Sequence, residues 1–300
     1  MTRSAHQVEV AMKLEGVITA LITPFSSDGT IDFPALRALV EAQIQAGIHG
    51  LVACGTTAET PAMKHSESDQ VIRAVVDQAA GRVPVIVGTG SNNTDATVEY
   101  TRNAKALGAD AALVVTPYYN KPQQEGMKAH FRKVADEGGL PVIIYNIPPR
   151  CVVNLTPASI LELAADPRFI GVKEAGGSCT QVRDIMMGAP DHFTVLSGDD
   201  GLCIPFWALG ARGVVSVASN VIPDRMLELW KLWQSGNVAG AAALDRRLAP
   251  LFSALFVETN PAPCKALAEH LGICTSHVRL PLSSATEATR KAVITAWQSI

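Results

Sequence analysis

The chain has 300 residues, 48% of them hydrophobic and 18% charged, with 25 Lys and Arg against 28 Asp and Glu for a formal net charge of −3. That composition excludes a disordered chain, and its slight acidity gives no electrostatic support to a nucleic-acid or anionic-membrane partner. No apolar run reaches the roughly 18 residues of a membrane span, so neither nucleic acid nor membrane is expected as a partner.

Residues 1–14 carry one early Arg and no continuous apolar stretch. They read as an N-terminal extension rather than a secretory leader. Beyond them, short apolar runs alternate with stretches of helical period. Val17–Thr23 is followed by Phe33–Ala46, whose Phe33, Leu36, Leu39, Val40 and Ile44 form one stripe that Gly47 ends. Gly50–Cys54 precedes Ser66–Ala80, amphipathic around Val71, Ile72, Val75 and Val76. Val83–Gly88 precedes Asp95–Leu107, Ala111–Val115 precedes Gln123–Ala135, and Pro141–Tyr145 precedes Pro157–Ala165. Ile170–Lys173 precedes Thr180–Met187, and Thr194–Ser197 and Gly213–Val217 complete the set of eight runs. All are continuously apolar, the pattern of parallel strands buried on both faces.

Eight β/α units over 15–236 predict an α/β fold, a closed (β/α)8 TIM barrel. The competing open, doubly wound sheet lacks its glycine fingerprint, since no GxGxxG follows any run. From 237 to 300 the pattern changes to three helical stretches, Ala239–Phe256, Pro261–Leu271 and Ser284–Trp297, a small C-terminal helical extension. Cysteines 54, 151, 179, 203, 264 and 274 show no CxxC spacing and read as reduced thiols of a cytoplasmic protein. The seven histidines form no HExxH, so no metal site is expected.

In a barrel, chemistry sits at the C-terminal strand ends. The second run ends in Gly55-Thr56-Thr57, whose backbone N–H groups and hydroxyls suit a carboxylate or phosphate. The same segment also reads as an ordinary polar loop. Three of the four tyrosines, Tyr118, Tyr119 and Tyr145, lie just past or at strand ends. Either they act there or they pack their rings and leave the hydroxyls to water. Lys173 completes the sixth run. Burial disfavours an ammonium, and a neutral amine can attack a ketone to form a Schiff base. The competing reading pairs Lys173 with a neighbouring carboxylate. Adjacent strands place Tyr145 and Lys173 across one strand spacing, roughly 5 Å, which suits general acid–base work on an amine.

Taken together, the motifs GTTAET (55–60), VVTPYYNKP (114–122), YNIPPR (145–150), GVKEA (171–175), LSGDD (196–200) and VETNPAPCK (257–265) resemble those of the pyruvate-dependent class I lyases. Within the dihydrodipicolinate synthase and N-acetylneuraminate lyase superfamily, the similarity is to the dihydrodipicolinate synthase family, from Gly16 to Leu282. The resemblance implies a pyruvate Schiff base on Lys173 and a proton relay of Thr56, Tyr119 and Tyr145. It implies a pyruvate carboxylate held by Thr57 with the backbone of Val215, and an entrance Arg150 that holds the carboxylate of L-aspartate 4-semialdehyde. No metal or organic cofactor is implied. The tyrosine matching Tyr119 reaches a neighbouring subunit's site, so a homodimer or homotetramer is implied. Ala58, Thr60 and Cys151 depart from common family residues, and none removes a side chain assigned to chemistry. Alternatives are another pyruvate lyase of the superfamily, such as a 2-keto-3-deoxy sugar acid aldolase, a hydroxypyrroline-carboxylate deaminase, or a non-catalytic keto-acid-binding barrel. Arg150 favours the synthase. Lysine-sensitive members bind their effector at the dimer interface. His65, Asn92 and Tyr118 match that pocket, while Ser68 replaces a His and Ala96 a Glu, so weak or absent lysine inhibition is expected.

Overall fold

The computed structural model describes Met12 and residues 14–300. The extension expected over 1–14 lies, apart from Met12 and Leu14, outside the described residues. Eight strands are present among those described: β1 (Gly16–Ala20), β2 (Gly50–Ala53), β3 (Val85–Gly88), β4 (Ala111–Val115), β5 (Val142–Asn146), β6 (Phe169–Glu174), β7 (Thr194–Ser197) and β8 (Gly213–Ser216). They close into one barrel in chain order, with β8 returning to pair in parallel with β1. The (β/α)8 expectation holds.

Alternation along each strand divides its apolar residues between two layers. Ile18, Ala20, Val52, Ile86, Leu113, Ile143, Leu196 and Val215 fill the barrel interior together with Leu14. Val17, Leu51, Val87, Val114, Ile144, Val172 and Val214 belong to the outer layer, under the helices. Gly171 makes room for Leu14, since a Cβ there would lie 2.9 Å from Leu14 Cδ2 and 2.4 Å from the Thr194 carbonyl oxygen.

The helices are α1 (Phe33–Ala46), α2 (His65–Ala79), α3 (Thr94–Ala106), α4 (Gln124–Gly138), α5 (Pro148–Cys151), α6 (Pro157–Ala164), α7 (Cys179–Met186), α8 (Cys203–Ala208), α9 (Pro223–Gln234), α10 (Val238–Ala254), α11 (Ala262–His270) and α12 (Glu287–Gln298). Capping explains several boundaries. The Asp32 carboxylate accepts from Ala35 N–H at the start of α1, and Gly47 ends it at φ 95°. In α4 the helix runs past Ala135 until Gly139 turns left-handed at φ 77°. The first strand is shorter than its apolar run. Beyond Ala20 the Asn220 side chain replaces a strand partner, donating to Ala20 O and accepting from Ile22 N–H. Helices α5 and α8, four and six residues long, are too short to show a stripe.

The last three helices have no core of their own. Leu248, Leu251, Phe252, Cys264, Leu267 and Val293 join the barrel's outer apolar layer. No helix among the described residues is long and apolar enough to cross a membrane.

Candidate active site

Parallel pairing of β5 with β6 sets Tyr145 opposite Lys173 and Asn146 opposite Glu174. The first pair faces the interior and the second faces out. Lys173 Nζ lies 4.1 Å from the centre of the Tyr145 ring, and each residue is only 6% exposed. The amine pairs with no carboxylate among the described residues, because Glu174 points to the other side of the sheet. That removes the ion-pair reading of Lys173. Gly198, just past β7, gives the lysine stem its space: a Cβ there would lie 3.1 Å from Lys173 Cε and 2.6 Å from Ala175 Cβ.

Behind this pair, the Glu174 carboxylate is wholly buried. It accepts N–H groups from Asn146 (2.9 Å), Gln181 (2.9 Å) and the Gly176 backbone (2.7 Å). Burial pushes the carboxyl up from its ordinary range, and the three donors pull against it. Asn146 also donates to Asn154 and accepts from Leu155 N–H. The ends of β5 and β6 are thus bound side chain to side chain as well as by the ladder.

After β2 the chain makes two single 3₁₀ turns, Thr56–Ala58 and Thr60–Ala62, joined at Glu59. Thr56 lines the cavity described below. Thr57 is buried, and its Oγ1 accepts from Asn260 Nδ2 at 2.9 Å. That bond uses one lone pair of the oxygen and leaves the Thr57 O–H to donate.

Arg150 sits on α5, exposed, with no ion pair or side-chain hydrogen bond among the described residues. It lines a cavity of about 480 Å³ together with Thr56, Tyr118 and Tyr145. The cavity continues past the barrel mouth to His65, Ser68 and Tyr100. Lys173 does not line it; its amine lies against the Tyr145 ring, which does. The side chain of Val215 is in the interior layer, 2% exposed, on the strand paired with β1 at Ile18. Tyr119 is not brought to Lys173 of its own chain. It is 87% exposed at φ 71°, and Tyr118 takes the place in the cavity wall.

Asp200, just after β7, supports the end of β8. It is fully buried, and one oxygen accepts the Val217 and Ala218 N–H groups at 3.0 and 2.9 Å. Burial raises its carboxyl to about 6, against the pull of those donors and of Ser216. No three His, Cys, Asp or Glu side chains among the described residues are grouped to hold a metal ion.

Sequence reasoning missed Asn146, Glu174 and Asp200 as supports. A polar residue one step beyond an inward-facing strand residue, where the outer layer is otherwise apolar, is the signal that marks the first two. Asn260 carries no such local signal.

The model of the Dihydrodipicolinate synthetase family matches residues 13–299. The chain belongs to that family. A 4-hydroxy-tetrahydrodipicolinate synthase of Thermomicrobium roseum is 47% identical over 286 residues, covering 95% of this chain and 94% of the relative. One from Methanoculleus marisnigri is 45% identical over 277 residues, 91% of this chain and 95% of that protein. Among solved structures, a Bacillus anthracis dihydrodipicolinate synthase superposes with a TM-score of 0.94 at 39% identity, covering 96% of this chain and 99% of its own. A monomeric dihydrodipicolinate synthase variant also matches, at TM-score 0.93 and 37% identity over 95% of this chain and 96% of its own. Within the dihydrodipicolinate synthetase family the likeness thus extends over the helical C-terminal region as well as the barrel.

Proposed function

We propose that this protein condenses pyruvate with L-aspartate 4-semialdehyde to give 4-hydroxy-tetrahydrodipicolinate and water, through a Schiff base on Lys173. The observation that carries the reading is a buried lysine with no carboxylate partner among the described residues, set in register with Tyr145. Family membership and relatives of the same name over more than nine tenths of the chain support the choice of reaction. No observation favours a sugar-acid lyase, a deaminase or a non-catalytic barrel.

In this reading the neutral Lys173 amine attacks the pyruvate ketone. The carbinolamine loses water to give an iminium. A methyl proton then leaves, and the electron pair of its C–H bond forms the enamine. The enamine carbon attacks the aldehyde carbon and the aldehyde oxygen takes a proton. The substrate's own amine attacks the imine carbon, releases Lys173 and closes the ring. Tyr145 and Thr56 carry protons to and from these centres, with Tyr119 of a second copy completing the relay in a homodimer or homotetramer. Thr57, whose oxygen accepts from Asn260 and whose O–H remains to donate, holds the pyruvate carboxylate with the Val215 backbone. Arg150, without an ion pair among the described residues, matches a second carboxylate with its planar fork. The lysine is the electron sink, so the reaction calls for no metal or organic cofactor. The barrel over 15–236 carries the chemistry, and residues 237–300 support its mouth.

Borohydride reduction in the presence of pyruvate tests the reading. It should add one reduced three-carbon unit to the peptide carrying Lys173. Labelling of a different lysine, or of none, would overturn it.

A further inference from the structure

The threonine loop after β2 contains a backbone position that its own sequence does not favour. Glu59 links the two 3₁₀ turns at φ 58°, ψ 34°, a left-handed conformation that L residues seldom adopt. Such a position persists where the surroundings fix it, and it points to function when found beside a site. Here the side chain supplies the fixing. Glu59 Oε1 meets Lys265 Nζ at 2.6 Å, with both side chains at 0% exposure. Oε2 accepts the Arg279 backbone N–H at 2.8 Å.

Both partners come from more than 200 residues away. Lys265 lies in α11, and its ammonium also donates to the His277 carbonyl at 2.9 Å. Lys265 Nζ lies 4.2 Å from the centre of the Phe25 ring and the Arg279 guanidinium carbon 4.4 Å from it, so the loop after β1 is gripped as well. The Arg279 guanidinium continues to Glu67 of α2 at 2.7 and 2.9 Å, and to the carbonyls of Ala62 and Gly29. None of Glu59, Lys265 and Arg279 lines the cavity. Their effect on chemistry runs through Thr56 and Thr57, three and two residues before the pivot.

A buried ion pair of this kind is a poor source of net stability, because desolvating two charges offsets their attraction. Two apolar side chains could fill the same space. What apolar side chains could not do is hold the Glu59 carboxylate in one place and, through it, a strained backbone.

We propose that Glu59 and Lys265 are positioning residues: their ion pair, with the Arg279 N–H, fixes the left-handed pivot that sets the preceding turn, aiming Thr57 at the carboxylate of pyruvate and Thr56 at the proton relay. The proposal rests on the function given above, and it makes the C-terminal region part of the site without contact to substrate.

The test compares the wild type with Lys265→Met and with the double variant Glu59→Met/Lys265→Met, which removes both charges and leaves no ion unpaired. Borohydride trapping against pyruvate concentration gives the half-saturation for imine formation. Steady-state rates at saturating pyruvate give KM for aspartate semialdehyde, and thermal unfolding reports the fold. Losing a hydrogen bond to a charged group costs about one to two decades in affinity, so half-saturation by pyruvate should rise about 10-fold or more in both variants. The KM for the semialdehyde should stay within about twofold, and the double variant should recover the Tm lost by the single one. A double variant with wild-type Tm and wild-type pyruvate half-saturation overturns the proposal and makes the pair merely structural. Should Lys265→Met fail to fold, the double variant alone decides by the same two readings. Absence of label on Lys173 in the wild type would instead overturn the proposed function, and this inference with it.

Discussion

The two sides of the barrel mouth bury their acids in opposite ways. On the strand side, Glu174 and Asp200 have no cation among the described residues and are held by N–H donors drawn mainly from nearby chain or the adjoining strand. On the loop side, Glu59 is held by a lysine 206 positions along the sequence. The first arrangement is built into the sheet and comes with it. The second depends on a separate piece of chain being in place. Groups proposed to form and break bonds, Lys173 and Tyr145, stand on the strand side. Those proposed to hold and select substrate, Thr57 and Arg150, stand on a loop and a single helical turn, and the same loop lends the relay its Thr56 hydroxyl. A division of labour follows: strands keep the reacting atoms still, while the loops can vary with the substrate.

Four measurements can break or sharpen that division. The largest effect belongs to the strand side. Lys173→Ala should lower kcat by roughly 10⁴-fold, on the scale of losing a covalent nucleophile, with the fold retained by circular dichroism. A rate within tenfold of the wild type would place the chemistry elsewhere.

Next is the titration of Asp200. Its carboxyl is raised from 3.8 to about 6, so the folded state binds that proton more tightly than the unfolded chain. The resulting stabilisation is complete below about pH 4 and is lost as the pH rises through about 6. The difference amounts to about 3 kcal/mol. Asp200→Asn keeps an acceptor for the Val217 and Ala218 N–H groups and has no charge to bury. Urea unfolding should therefore show the variant gaining about 3 kcal/mol on the wild type between pH 4 and pH 7. Parallel profiles would show that this acid is not held as the geometry indicates.

The loop side should respond differently. Arg150→Ala removes a charged contact worth about 1.5–3 kcal/mol, or one to two decades in kcat/KM for aspartate semialdehyde. Imine trapping with pyruvate should be unchanged. If instead pyruvate trapping falls and the semialdehyde constant does not, the assignment of the two carboxylates is reversed.

The smallest effect concerns lysine. The cavity reaches His65, Ser68 and Tyr100, but Ala96 offers no carboxylate to an effector ammonium. Initial rates should show no half-inhibition below about 1 mM lysine, a binding free energy of about −4 kcal/mol. Tighter inhibition would mean that another acid serves the pocket, with Asp69 in its wall the first to replace.

The same contrast explains what could be read from residues alone. Each of the eight apolar runs maps to a strand, because a strand buried on both faces leaves an unbroken apolar signature. The meeting of Tyr145 and Lys173 was legible too, since consecutive parallel strands are neighbours and the residues stand at matching ends. Glu174 left a fainter trace, a carboxylate where an outer-layer apolar residue belongs. The pairing of Glu59 with Lys265, and of Asn260 with Thr57, left none: no periodicity links positions some 200 residues apart. Nor does composition reveal that the Tyr145 ring lies over the Lys173 amine, which depends on side-chain angles rather than chain order.

Chain order has a consequence for the birth of the molecule. A ribosome delivers β8 only after residue 216, so closure against β1, which ends at Ala20, waits for all the strands and helices between them. The anchors of the threonine loop, Asn260, Lys265 and Arg279, emerge later still. Non-local closures of this kind are slow steps in folding, and domains of nascent chains form as their residues appear. All eight strands are therefore delivered before the contacts that hold Thr57 and Glu59, and it falls to the stretch from Asn260 to Arg279 to complete the mouth of a barrel whose strands are already in hand.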